Sequence, residues 1–158
     1  MTTNLLLPPK YKTIGWFILI PATILGIVLS LSGFQAEWLN ANVFVIFNDP
    51  VFGEKKFFSM THTNITNTVI AVLFIIGAML VSFSREKNED EFIAKLRLSS
   101  LQWAVALSYL LLLFAFIFVY GTAFLNVMIY NMFTVLIIFI IRFNYILYKN
   151  SKTAPDEK

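Results

Sequence analysis

Asn126, Tyr130 and Thr134 recur at i, i+4 and i+8, and so form one polar stripe along a helix. Among apolar neighbours such side chains do one of two things. They hydrogen-bond across packed helices, typically for about 0.6 kcal/mol and at most near 2. Otherwise they line a pocket that holds a lipid headgroup, a quinone or a permeating solute. Gln102 and Tyr109 lie one heptad apart and share a second face. If the chain doubles back at Tyr120, residues equally far from it oppose one another, which sets Tyr109 against Asn131 near a membrane midplane. Interhelical bonding is the commoner use of such residues, and an Asn131 turned toward lipid would count against both readings.

Other chemistries are thinly represented. No Asp, Glu, Lys, Arg or His falls in the middle of the long apolar runs. Ion-coupled transporters keep such costly groups where they work, so their absence argues against ion-coupled transport. Without cysteine there is no disulfide, thiolate metal site, iron–sulfur cluster or lipidated anchor cysteine. His62 stands alone, and Glu37, Asp49 and Glu54 follow no defining spacing. Asn64-Ile65-Thr66 matches a glycosylation sequon, a common pattern. No nucleophile elbow, zinc-binding helix motif, phosphate loop or dinucleotide fingerprint occurs. The expectation is a non-enzymatic chain with no metal and no cofactor.

The elements that must position the polar residues follow from composition. Of 158 residues, 58% are hydrophobic and 13% charged, with 17 Phe. Soluble domains carry roughly 25% charged residues, so this surface is too greasy for water and needs a lipid bilayer as its partner. The net charge of +3 comes from basic residues beside apolar runs, not from one basic face interleaved with stacking aromatics. Nucleic acid is therefore not an expected partner.

Residues 13–36 carry no charge, nor do 63–84 or the 44 residues of 98–141. About 20 helical residues cross a core roughly 30 Å thick, so the last run must fold back, with Gly121 at the turn. A β-barrel is excluded because residues 110–118 are apolar at every position, without alternation. The expected fold is an all-α integral membrane protein, a four-transmembrane-helix bundle in a single domain. Its spans are 13–34, 64–84, 98–119 and 123–145. An outer loop of 35–62, a helix extension of 85–97 and a tail of 149–158 complete it.

Sidedness follows from Lys and Arg. Ten lie on one side (Lys10, Lys12, Arg85, Lys87, Lys95, Arg97, Arg142, Lys149, Lys152 and Lys158) and two on the other (Lys55 and Lys56). Both termini are expected in the cytoplasm. Tyr11, Trp16, Trp103, Tyr145 and Tyr148 fall at the inner interface, and Trp38 and Tyr120 at the outer one. A cleaved signal peptide is the competing reading of the N-terminus, but its apolar stretch exceeds the usual length of about 7–15 residues.

Local signals refine this picture. Residues 38–48 are apolar but too few to cross; a strand, a re-entrant piece and an interfacial helix are all open, with an interfacial segment ended by Asn48-Asp49-Pro50 preferred. Asn88 and Glu91 have capping-box spacing, and Glu91 with Lys95 makes a favourable i,i+4 pair, so the third helix is expected to begin near Glu89. Ala22, Gly26 and Ser30 repeat every four residues, as do Ser100, Ala104 and Ser108, with Ala78 and Ser82 a weaker pair. Such faces either hold a bundle together or pair two copies. Pro21 removes one backbone donor and is expected to kink the first helix.

Residues 90–103 (DEFIAKLRLSSLQW) and 120–148 resemble an uncharacterised family of small four-span bacterial membrane proteins. The likeness runs from Gly15-Trp16 onward and is strongest in the second half. It implies a bacterial inner membrane, and it supplies no activity, cofactor or site residue. The expected role is an accessory, interaction or sensory subunit, with a homo-oligomer or another membrane protein as partner. The alternative is a passive channel or a lipid- or quinone-binding protein that uses the intramembrane polar set.

Overall fold

A computed structural model describes residues 6–33, 37–48, 56–87 and 90–153. In chain order these form α1 (Lys10–Leu31), β1 (Asn40–Asn48), β2 (Lys56–Asn64), α2 (Thr66–Phe83), α3 (Glu91–Phe118) and α4 (Thr122–Thr153). Each helix is long and apolar enough to cross a membrane, so the chain is a multi-pass membrane protein. The residues fall into two compact units, Ile18–Phe74 and Met1–Phe17 with Ile75–Lys158.

Within the unit of Ile18–Phe74, the segment expected as an interfacial piece of the outer loop takes another of its open forms. Residues 40–48 take the strand form and not that of an interfacial helix: β1 and β2 pair antiparallel, with Asn40 opposite Asn64 and Asn48 opposite Lys56. The physical reason lies in Val43–Phe44–Val45–Ile46, β-branched and aromatic residues that suit a pleated surface. Exposure alternates along β1, with Ala41, Val43 and Val45 half-buried and Asn42, Phe44 and Ile46 exposed, as a strand's two-residue period requires. Residues 49–55, including the Asp49-Pro50 turn signal, lie outside the described residues. At Phe58 the backbone turns to φ 50, and the ladder passes from Val45–Ser59 to Phe47–Phe57 without an Ile46–Phe58 pair.

The hairpin is tied to the start of α2. The Ile65 amide donates to the Leu39 carbonyl at 2.9 Å, and the Leu39 amide donates to the Thr66 hydroxyl at 3.0 Å. The Asn64 side-chain oxygen accepts from the Thr66 amide at 2.9 Å, a local turn bond typical of Asn. Thr66 is almost fully buried. The apparent sequon therefore has a structural role at this junction. In the same unit α1 runs on through Pro21, and the Thr23 hydroxyl donates to the Leu19 carbonyl at 2.7 Å.

In the other unit α3 starts at Glu91. Its cap is Asp90, whose carboxylate accepts from the Ile93 amide at 2.8 Å; the expected cap at Asn88 and start at Glu89 lie outside the described residues. Both Asn and Asp cap well, and Asp90 stands three residues before Ile93, the first buried residue of the helix. The Glu91–Lys95 pair forms at 2.9 Å, well exposed and thus of small energetic value. At the other end Val119 closes α3, and Gly121 adopts φ +72 before Thr122 opens α4. Only glycine enters that region at no steric cost, so a three-residue reversal is possible here. The fourth helix continues past residue 145 and through the first half of the segment expected as a tail, to Thr153.

Two contacts fix the N-terminal part of this unit. The Leu7 amide donates to the Phe83 carbonyl and the Arg85 amide to the Leu7 carbonyl, both at 2.9 Å. On α1, Gly15 is the point of closest approach. A Cβ placed there would stand 2.9 Å from Leu80 Cβ, Val81 Cγ2 and the Val81 backbone nitrogen.

Candidate functional site

The intramembrane polar residues do not converge on one pocket. Asn131 turns toward α3 and accepts a hydrogen bond from the Ser108 hydroxyl at 3.0 Å. The expected opposition of Tyr109 and Asn131 is thus displaced by one residue. The reason is the small-residue face. Ser100, Ala104 and Ser108 are buried within the chain, because residues without bulk let helices approach. Residue 109 lies about 100° further round the helix, so Tyr109 points outward and is 66% exposed.

The other members are placed as follows. Gln102 and Asn126 are exposed. Thr134 donates to the Tyr130 carbonyl at 2.9 Å, a bond within α4 and not between helices. Tyr130 is 42% exposed. The bond from Ser108 on α3 thus falls to Asn131, one position beyond Tyr130 of the Asn126–Tyr130–Thr134 stripe. On α1 the repeat is also uneven: Ala22 is buried, while Gly26 and Ser30 are half-exposed. A Cβ added at Gly26 would meet nothing within 4 Å.

The Ser108–Asn131 pair is a helix clamp. Replacing Asn131 with Leu should lower the stability of the detergent-solubilised chain by about 1 kcal/mol. Ser108→Ala should do nearly the same, and the double variant little more. Additive losses, measured by unfolding in mixed micelles, would show that the two side chains do not act together.

Charge gathers elsewhere, at the end of the helices that bears Lys12, Arg85, Arg97 and Arg142. Lys12 Nζ pairs with Glu86, both partners four-fifths buried. The Arg97 guanidinium donates to the Ser84 carbonyl at 3.2 Å and lies 5.4 Å from the centre of the Phe143 ring. Lys12 approaches the same ring at 5.9 Å, and Arg142 lies 5.0 Å from the Trp103 ring. Phe143 is buried and stacks on Phe139 at 5.6 Å. Cations over ring faces gain about 0.5–1 kcal/mol when exposed and more when desolvated.

Beside the Lys12–Glu86 pair opens a cleft of about 410 Å³, walled in part by Trp16, Arg85, Lys87, Ile93 and Leu147. Sequence reasoning counted these cations only for sidedness and missed their convergence. The usable signal was their shared depth: Lys12, Arg97 and Arg142 each border an apolar run that also places a Trp or Phe nearby. Among the described residues no three His, Asp or Glu side chains group as a metal site would require. His62 sits on β2 opposite Asn42, exposed. No family model, curated protein or solved structure matches this chain.

Proposed function

We propose that this chain is a non-enzymatic subunit of a bacterial inner membrane, with both termini in the cytoplasm, that works by pairing with a transmembrane helix of another membrane protein. An accessory or sensory role follows from such pairing. The observation that carries the reading is Tyr109. It stands nine residues before the end of α3, about 14 Å of helix rise from Phe118, and therefore deep in the hydrocarbon. Its side chain points away from the chain's own core and has no hydrogen bond among the described residues. A hydroxyl at that depth cannot reach water, and an unbonded hydroxyl costs several kcal/mol in lipid. A partner helix with a group that accepts a hydrogen bond from it removes the penalty. Ten of twelve Lys and Arg residues on one side support the orientation.

Cross-linking and pull-down from native membranes test the reading. Tyr109→Phe keeps the ring and removes the hydroxyl, and should weaken association about three- to twentyfold, the worth of one interhelical hydrogen bond. Unaltered capture by the Tyr109→Phe chain, or a strictly monomeric and partner-free wild-type particle, would overturn it.

A further inference from the structure

Strands β1 and β2 present one apolar face that their own unit leaves uncovered. Val43, Val45, Ser59 and Thr61 are half-buried, whereas Phe44, Ile46, Phe58 and Met60 are between 61% and 70% exposed. Phe44 and Met60 are register partners and share one face, and Ile46 follows Phe44 on it by the strand's two-residue period. Phe58 is brought to the same side, its ring centre 6.3 Å from that of Phe44. It arrives there at a cost, because a φ of 50 is an uncommon backbone state for a bulky residue. Glycine would enter that state freely, so the backbone at this point does not call for a phenylalanine.

The level of this face follows from α2. That helix has 18 residues, about 27 Å of rise, against a hydrocarbon core roughly 30 Å thick. It has no length to spare, so its first residue, Thr66, stands at the hydrocarbon boundary. The Leu39 and Ile65 amide bonds hold the base of the strands there. Standing upright from that base, the strands would carry Phe44 and Ile46 about 13 and 20 Å beyond Asn40 into water, at about 3.3 Å per residue. Laid along the boundary, the same side chains meet acyl chains. Two-thirds exposed, the four offer about 500 Å², at about 200 Å² for a large apolar side chain. A specific protein interface takes about 800 Å² from each partner, so the patch suits a membrane surface better than a protein. Trp38, 57% exposed just ahead of β1, has the amphipathic ring that the headgroup layer favours.

We propose that β1 and β2 form a membrane-surface anchor. Phe44, Ile46, Phe58 and Met60 insert among the acyl chains of the leaflet at which α1 ends and α2 begins. Asn42 and His62, register partners and exposed nearer the base, stay in the hydrated headgroup layer. No residue of α3 takes part, so the anchor stands whether or not Tyr109 pairs with another helix.

The test uses the whole chain in phosphatidylcholine vesicles. Because the chain has no cysteine, single nitroxides can be attached through Phe44→Cys, Ile46→Cys or Met60→Cys. Thr63→Cys, paired with Ala41 on the opposite face and exposed, is the reference. Relaxation by oxygen, which concentrates in lipid, and by a nickel chelate, which stays in water, reads the depth of each label. Labels at 44, 46 and 60 should lie about 5–10 Å below the headgroups, while the label at 63 stays open to nickel. Equal nickel access at all four positions would place the face in water and overturn the proposal. Shielding from both reagents would mean that protein covers the face, which also overturns it; spin–spin broadening would then identify a second copy. Phe58→Gly, with the label at 46, separates anchoring from folding. The unfolding temperature should hold or rise as the unfavourable φ is relieved, while the label shifts toward water. A label that does not move would count against the anchor.

Discussion

Leucine in place of Gly15 is expected to abolish the docking of α1, and with it the folded state in mild detergent. Two opposing effects decide the milder case, Gly15→Ala. A helix interior gains about 1 kcal/mol when Ala replaces Gly, through lower backbone entropy and better propensity. Against that, the new Cβ would lie 2.9 Å from Leu80 Cβ, Val81 Cγ2 and the Val81 nitrogen. The nitrogen belongs to a hydrogen-bonded helix and cannot step aside alone. Overpacking of this kind costs about 1–3 kcal/mol, so Gly15→Ala should destabilise on balance and Gly15→Leu should not assemble. Gly26→Ala is the internal control. With open space around its Cβ, it should be neutral or slightly stabilising. Thermal unfolding of the three variants in one detergent checks the order. A Gly15→Ala chain as stable as Gly26→Ala would show that the two helices separate at little cost.

The second large effect is expected at Lys12. Removing one partner of a buried ion pair costs about 3–5 kcal/mol, because the survivor is left uncompensated. Here each partner keeps about one-fifth of its surface in solvent, and Glu86 has further interactions, so about 2 kcal/mol is the reasonable scale. Lys12→Met preserves the length of the side chain and deletes its charge. It also removes the cation that stands 5.9 Å from the Phe143 ring. Glu86→Gln alone should cost less. The double variant should recover part of the loss from Lys12→Met, since the carboxylate that lost its lysine is then uncharged. A thermodynamic cycle over the four proteins measures this coupling. Strict additivity within about 0.5 kcal/mol would show that the pair is incidental.

How far sequence foretells this molecule differs from element to element. The four helices were legible because uncharged runs of known length admit little else in lipid, and Gly121 was legible because a 44-residue run must reverse near its middle. The hairpin was not. Residues 38–48 satisfy a strand, a re-entrant piece and an interfacial helix alike, and the partner strand, KFFSMTHTN, carries little hydrophobic signal of its own. Pairing between two such segments is a tertiary event that no local pattern encodes. The clamp was misread by one residue for a related reason. Counting from Tyr120 gave the right depth for Asn131, but depth does not set rotation. The face of α3 is set by Ser100, Ala104 and Ser108. The convergence of Lys12, Arg97 and Phe143 needed coordinates, because their spacing along the chain has no regular period.

The two-stranded sheet has a further consequence. Among the described residues no third strand lies beside it, so each strand leaves one row of peptide groups without a backbone partner there. Hydrocarbon does not tolerate such groups, at several kcal/mol each. The hairpin must therefore ride where water penetrates. One residue of chain, Ile65, links it to α2. That short tether makes the hairpin a float: it sets how deep Thr66 can sink, and so fixes the vertical station of the second helix through the main chain, with the Asn64 and Thr66 side chains securing the join.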